Sequence, residues 1–307
     1  MESHPRGEEL RAAAGRDGYL HPGYAEAFVE VGEVRHLRRS GTWMLSLGID
    51  GSDRRDALIG YPLLICRDWV GLAVDLAETA ALADVVSISA VTDPLATVDE
   101  EVLRPAFGDL VRVEALHHIV DLATSWPSRE HRRAVRQVLQ LVDVEVEDAP
   151  SDVGAIWAAL HGSPLPGAEL GLSSPALEGQ LQLPGCVAFT VQAEDGPVAA
   201  AVVYVTGDHA YLHALAADRE GERLGAPYAL VQTIIEDMAG RGLRSLDLGA
   251  ARDDAAFMAG WTEQTRPAYR CGRIVDRVAY EELAAATETT GGACFPVYRD
   301  PAARLNA

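Results

Sequence analysis

The chain has 307 residues, of which 48% are hydrophobic and 23% charged, and a formal net charge of −20. That length suits one large domain or two of average size, in a composition typical of soluble globular proteins. The charge argues against broad nonspecific nucleic-acid binding, which depends on neutralising phosphates, and no apolar run approaches the roughly eighteen residues of a membrane-spanning helix.

The N-terminal MESHPRGEEL is polar and acidic, without the apolar core of a signal peptide, so residues 1–20 read as a loose leader and the expected location is cytoplasmic. All 26 Lys+Arg residues are Arg, so cationic chemistry here must use Arg or His. Cys66, Cys186, Cys271 and Cys294 are too widely spaced for a zinc motif or a redox pair. Cys66 and Cys186 lie in apolar runs and read as buried strand residues.

Residues 21–38 read as a short helix and a strand. TWMLSLGID is a strand, SDRRD its turn, and ALIGYPLLIC an apolar strand whose Pro62 puts it at an edge or a bulge. VVSISAV alternates and reads as another strand, and a further β region follows in LVRVEALHHIVDL. The spacing predicts a helix over 128–142, with Ser128 as N-cap. Arg129, Arg132, Arg133 and Arg136 share one face, and Val135, Val138, Leu139 and Val142 share another. The arginine stripe reads either as a solvated face or as an anion-facing surface; like charges on one face repel, which favours a partner.

VEVEDAPSD reads as an acidic connector, DVGAIWAALHG as a helix, and the Gly/Pro/Ser-rich stretch 162–175 as a mobile loop or lid. CVAFTVQA, PVAAAVVYV and AYLHAL are strands joined by hairpin turns. DREGERLGAP is a loop running into a helix that starts at Pro227, with Leu230, Ile234 and Met238 on its buried face. SLDLG is a strand, a last strand lies near 268–279, and the tail from Cys294 reads as loop.

This strand–loop–helix–strand order suits acyl transfer, in which a donor is gripped, its carbonyl polarised and a proton removed from an amine. A helix N-terminus is a ready phosphate site, and Arg219 and Arg223 precede it here. Asp247 lies mid-strand and points away from the face of Leu246 and Leu248; it reads as a base, an amine ligand or a plain hydrogen-bonded Asp. His213 alternates with Leu212 and reads as a core histidine or a site residue. His117 and His118 point to opposite faces of a strand, poor geometry for a metal, and no metal is expected.

From about His21 to Leu283 the chain resembles the Fem-type (FemABX-like) aminoacyltransferases of the GNAT superfamily, built from two tandem GNAT-like folds. The likeness rests on HPGYAEAFVEVG and ALIGYPLLIC, on HIVDLATSWPSREHRRAVRQV as entry to a basic helix, and on the block from AYLHAL to YEEL. Two departures stand out. Met258 follows Phe257 where the family has lysine, with Arg252 or Arg266 the nearest substitutes, and Gly249-Ala250-Ala251 replaces an all-glycine loop. The chain also lacks the long helical arm of cell-wall members, which favours a small-molecule acceptor.

The resemblance implies an α+β protein with two GNAT-like folds and a cleft between them. The expected boundaries are 21–147 and 148–279, with 280–307 returning to the first domain. It implies aminoacyl-tRNA as co-substrate, no bound cofactor, and amide-bond formation on a small amine, as in natural-product biosynthesis. Acyl-CoA-dependent transfer and a noncatalytic binding protein are the alternatives. The expected catalytic residues are Asp247, His213 and Arg252. Tyr61, Arg67, Tyr204, Tyr228 and Arg266 are expected to bind substrate, and Arg129, Arg132, Arg133, Arg136, Arg219 and Arg223 the donor. Tyr61, Arg67, Tyr204, His213, Asp247 and Arg252 are expected to border one cavity.

Overall fold

The computed structural model describes residues 16–150, 156, 167, 170–194, 196–250, 255–286 and 294–299. In chain order the elements are α1 (Pro22–Glu26), β1 (Glu33–Leu37), β2 (Thr42–Gly48), β3 (Arg55–Ile59), α2 (Trp69–Ala80), β4 (Val85–Val91), α3 (Glu100–Phe107), β5 (Leu110–Asp121), α4 (Arg129–Val138) and β6 (Val144–Asp148). There follow α5 (Ser174–Leu181), β7 (Cys186–Ala193), β8 (Gly196–Thr206), β9 (His209–Ala217), α6 (Arg219–Leu224), α7 (Ala226–Gly240), β10 (Ser245–Ala250), α8 (Ala255–Ala259), β11 (Thr265–Ile274) and α9 (Arg277–Ala286).

Two compact units are each assembled from two stretches of chain: residues 1–27 with 116–266, and 28–115 with 267–307. The sequence reading divided the chain once, at the connector near residue 148. That connector is itself a strand: Val144–Asp148 forms β6, an edge strand antiparallel to β7, with most of its side chains in solvent. Acidic side chains on an edge strand discourage pairing with a further chain.

The unit of residues 1–27 and 116–266 orders its strands β5-β10-β9-β8-β7-β6. β8 is apolar on both faces, because Val198–Val203 are buried throughout. α7 covers this sheet with a buried stripe of Leu230, Ile234 and Met238 at helical spacing. Its start is set by Gly225 in the left-handed conformation (φ +79°) followed by Pro in the first turn. α4 begins at Ser128, whose Oγ accepts from the His131 N–H. His131, Val135 and Val138 are buried, but α4 ends at Val138 and Leu139 is 43% exposed.

The unit of residues 28–115 and 267–307 orders its strands β1-β2-β3-β4-β11. α2 and α3 cover it through Leu72, Leu76, Leu103 and Phe107. Neither helix was read from the sequence, although Asp68 and Asp99 each accept N-cap hydrogen bonds. β3 ends at Ile59 instead of running to Cys66, because Gly60 turns the backbone (φ +61°). A Cβ at Gly60 would approach the Leu63 carbonyl oxygen to 2.9 Å. The C-terminal segment is fixed within this unit by buried Asp56, which accepts from Ser87 Oγ (2.7 Å), Tyr298 Oη (2.7 Å) and Arg299 Nε (2.6 Å). Residues 277–286, read partly as strand, form α9.

Candidate active site

The site starts from where two parallel strands part. β10 pairs with β9 only over Ser245–Asp247, opposite His209–Tyr211. Beyond that point β9 continues to Ala217 on β8, while β10 stays paired with β5, where Ala250 faces His117 after a register shift. Parallel strands that separate at their carboxyl ends leave backbone edges without a ladder partner, a placement that open sheets use for ligands.

At this parting lies the closest carboxylate–imidazole contact among the described residues of the unit. Asp247 faces Ile119 on β5, and His117, two residues away on β5, shares that face. His117 Nδ1 lies 2.9 and 3.0 Å from the two oxygens of the Asp247 carboxylate. The Gly249 N–H also donates to Asp247 Oδ1 at 2.7 Å, a direction reached because Gly249 has φ +87°. The Asp247 side chain is 3% exposed and that of His117 13%. An acceptor on Nδ1 fixes the Nδ1–H tautomer and leaves the Nε2 lone pair bare. No described residue bonds His117 Nε2.

His213 has a different setting on β9. Its Nδ1 lies 3.0 Å from Tyr19 Oη, and its ring packs on Tyr204 and Tyr24 at centroid distances of 4.9 and 6.4 Å. Desolvation pushes its pKa down to about 3. Tyr204 is fully buried and donates its hydroxyl to the Gln180 carbonyl at 2.8 Å. Arg252 lies outside the described residues. Tyr61 and Arg67 belong to the other unit: Tyr61 packs on Phe28 (5.4 Å), and Arg67 is exposed. Arg266 is exposed on β11.

Tyr228, in the first turn of α7, joins an aromatic group with His131 (5.0 Å), Phe257 (5.1 Å) and Trp261 (6.3 Å). His131 spends both ring nitrogens, on Ser128 Oγ at 3.2 Å and the Phe257 carbonyl at 2.9 Å. Met258, where the resembled family carries lysine, packs against the hydrophobic core of this unit.

α4 carries a row of four arginines. Arg129, Arg132, Arg133 and Arg136 are all exposed, and among the described residues none pairs with a carboxylate. Arg132 Nη1 donates to the Pro127 carbonyl at 2.9 Å. Arg129 and Arg132 stand in the first turn, where the helix dipole disfavours a cation. Beside this helix start, a groove of about 320 Å³ is lined by Ser125, Trp126, Ser128, Gly260 and Thr262, and Trp126 is 80% exposed. The far end of α4 abuts the start of α7, since a Cβ on Gly225 would lie 3.9 Å from Val138.

Arg219 and Arg223 fall on α6, a helical turn capped by Asp218, where the sequence read as loop. Arg223 is bound twice by Glu220, at 2.8 and 2.5 Å. Among the described residues no cluster of His, Cys, Asp or Glu is arranged to hold a metal ion.

His117 and Trp126 are absent from the residues the sequence singled out for this chemistry. In the sequence His117 reads only as half of a poor metal pair; its carboxylate partner lies 130 positions away, across a strand pairing with no local signal.

The profile of the acetyltransferase (GNAT) domain family matches residues 127–257. No curated protein matches the sequence. Among solved structures, FemX is 13% identical and superposes over 92% of this chain and 99% of its own, with a TM-score of 0.64. The C-terminal domain (DUF2156) of a putative lysylphosphatidylglycerol synthetase from Agrobacterium fabrum is 17% identical over 91% of this chain and 96% of its own, with a TM-score of 0.59. L-PGS from Bacillus licheniformis is 15% identical over 83% and 93%, with a TM-score of 0.57. Residues 127–257 thus match a GNAT acyltransferase domain, and the chain has the α+β fold of FemX, in keeping with the two GNAT-like folds expected from the sequence.

Proposed function

We propose that this chain is an N-acyltransferase that takes an amino acid from aminoacyl-tRNA and joins it by an amide bond to a small amine. The observation that carries the reading is the arginine face of α4. In a chain of net charge −20, Arg129, Arg132, Arg133 and Arg136 are held in solvent without acidic partners among the described residues. Two of them occupy a helix turn that disfavours cations, so the face is costly unless an anion meets it. A polyanion backbone fits a row of this length better than one compact anion does. Trp126, beside the start of α4, offers an exposed ring on which an unpaired base can stack.

The acyl-CoA alternative would place a pyrophosphate at the start of α7, where Gly225 leaves the helix without a side-chain cap. Pro227 removes one N–H from that turn, and Glu220 occupies Arg223. Both features favour the tRNA reading. Among the described residues no helix is long and apolar enough to cross a membrane, and a small dissolved amine is the acceptor we favour.

Binding of total charged tRNA tests this. The double variant Arg132→Glu, Arg136→Glu should bind more weakly at low salt and flatten the plot of log affinity against log salt by about two units, one per lost phosphate contact. The fold should survive, because Val135 and Val138 on the buried face are untouched. Unchanged affinity and slope in that variant would refute the reading.

A further inference from the structure

We infer that His117, oriented by Asp247, is the base that takes the proton from the attacking amine. The inference rests on the acyl-transfer reading above, but not on whether tRNA or CoA carries the acyl group.

Amide formation requires an amine nitrogen to lose a proton as it attacks the acyl carbonyl. The nitrogen–carbon bond forms, the bond from that carbon to the carrier oxygen or sulfur breaks, and the proton passes through the base to the departing carrier. No electrons change hands and no further reactant is needed. The base therefore needs a bare lone pair that solvent or substrate can reach, and a neighbour that tolerates its transient positive charge.

His117 meets these conditions together. Its Nδ1 is held by both oxygens of a carboxylate that is 3% exposed, so Nε2 is the free nitrogen. The same carboxylate stabilises the imidazolium once the proton arrives, because the pair interacts in a poorly solvated place. The position is apt: His117 faces Ala250, beyond the point where β10 leaves β9. The Gly249 N–H donates to Oδ1 of the same carboxylate at 2.7 Å, a second bond that holds Asp247 in this orientation.

Two other histidines of this unit serve less well. His131 has both nitrogens engaged, and burial pushes the His213 pKa down to about 3 beside Tyr19 and Tyr204. The chain has no lysine to act as a base.

The test uses the full chain, total tRNA charged with radiolabelled amino acids, and a panel of primary amines. His117→Ala should lower kcat about a hundredfold or more and leave KM for charged tRNA within about twofold. Added imidazole should restore part of the rate, which a merely structural role would not allow. A kcat within about threefold of wild type, or a loss that imidazole does not rescue in a variant with wild-type circular dichroism, would overturn the inference. Nitrogen-15 NMR of the wild-type chain gives an independent answer. The inference requires the Nδ1–H tautomer at pH 8, and an Nε2–H tautomer would overturn it. If wild-type product forms from acyl-CoA and not from tRNA, the donor reading fails, and the same His117→Ala comparison with CoA donors still decides the role of His117. Transfer from neither donor would refute both.

Discussion

The two strands that flank β10 each carry a histidine bonded through Nδ1 to an oxygen, yet the settings differ. His117 on β5 meets a carboxylate, with Gly249 N–H as that carboxylate's other partner. His213 on β9 meets the Tyr19 phenol inside a group of tyrosines that includes Tyr24 and Tyr204. A carboxylate supports a cationic ring, whereas aromatic burial keeps a ring neutral. The first arrangement suits a group that gains and loses a proton; the second suits packing that holds β9 to the N-terminal segment. An imidazole's chemistry is thus set by its neighbours across the sheet.

The comparison breaks most visibly at Asp247. Asp247→Asn keeps an oxygen for the Gly249 N–H but no longer dictates the His117 tautomer. Steady-state transfer should fall by about two orders of magnitude with an unchanged circular dichroism spectrum. Wild-type activity in that variant would erase the distinction between the two histidines.

A smaller effect separates them by pH. The folded pKa of His213, about 3, is below the unfolded value near 6.5, so the unfolded chain binds the extra proton between those limits. Its contribution is full above pH 6.5 and declines as pH falls toward 3, by up to about 1.4 kcal/mol per pH unit. Urea melts of His213→Gln should show a shallower loss of stability over that window than wild type, and parallel curves would contradict a neutral His213. Tyr19→Phe removes the hydroxyl that meets His213 Nδ1 and should cost about 1 kcal/mol in the same melts, with transfer rates preserved. A large loss of activity in Tyr19→Phe would move His213 into the chemistry. Smallest is the expected effect of Arg223→Gln: Glu220 already occupies that guanidinium, so charged-tRNA affinity should stay within about twofold, and a drop like that of the α4 variant would put α6 in the anion surface.

The local features were legible in the sequence. The strand at Cys186–Ala193 and the N-cap at Ser128 follow from alternation and capping, signals contained within a few residues. The buried stripe of α7 is equally local. α2 and α3 were missed despite capping aspartates, because β-branched residues and glycine in WVGLAVDLAETA and a proline in EEVLRPAF weaken the helical pattern. Asp247 was legible as a polar side chain in an apolar strand. That His117 and not His213 bonds it was not legible, since it depends on which strand lies on each side of β10. The arginine stripe was legible from spacing alone, whereas the pairing of Arg223 with Glu220 needed the α6 turn that the sequence read as loop.

Transfer from charged tRNA tests the central claim most directly. The full chain is mixed with total tRNA carrying radiolabelled amino acids and the amine panel, and RNase is added before or after the enzyme. The account predicts a labelled amide that survives RNase added after the reaction and is abolished by RNase added before it. Equal product in both orders, or product formed only with acyl-CoA, would contradict it.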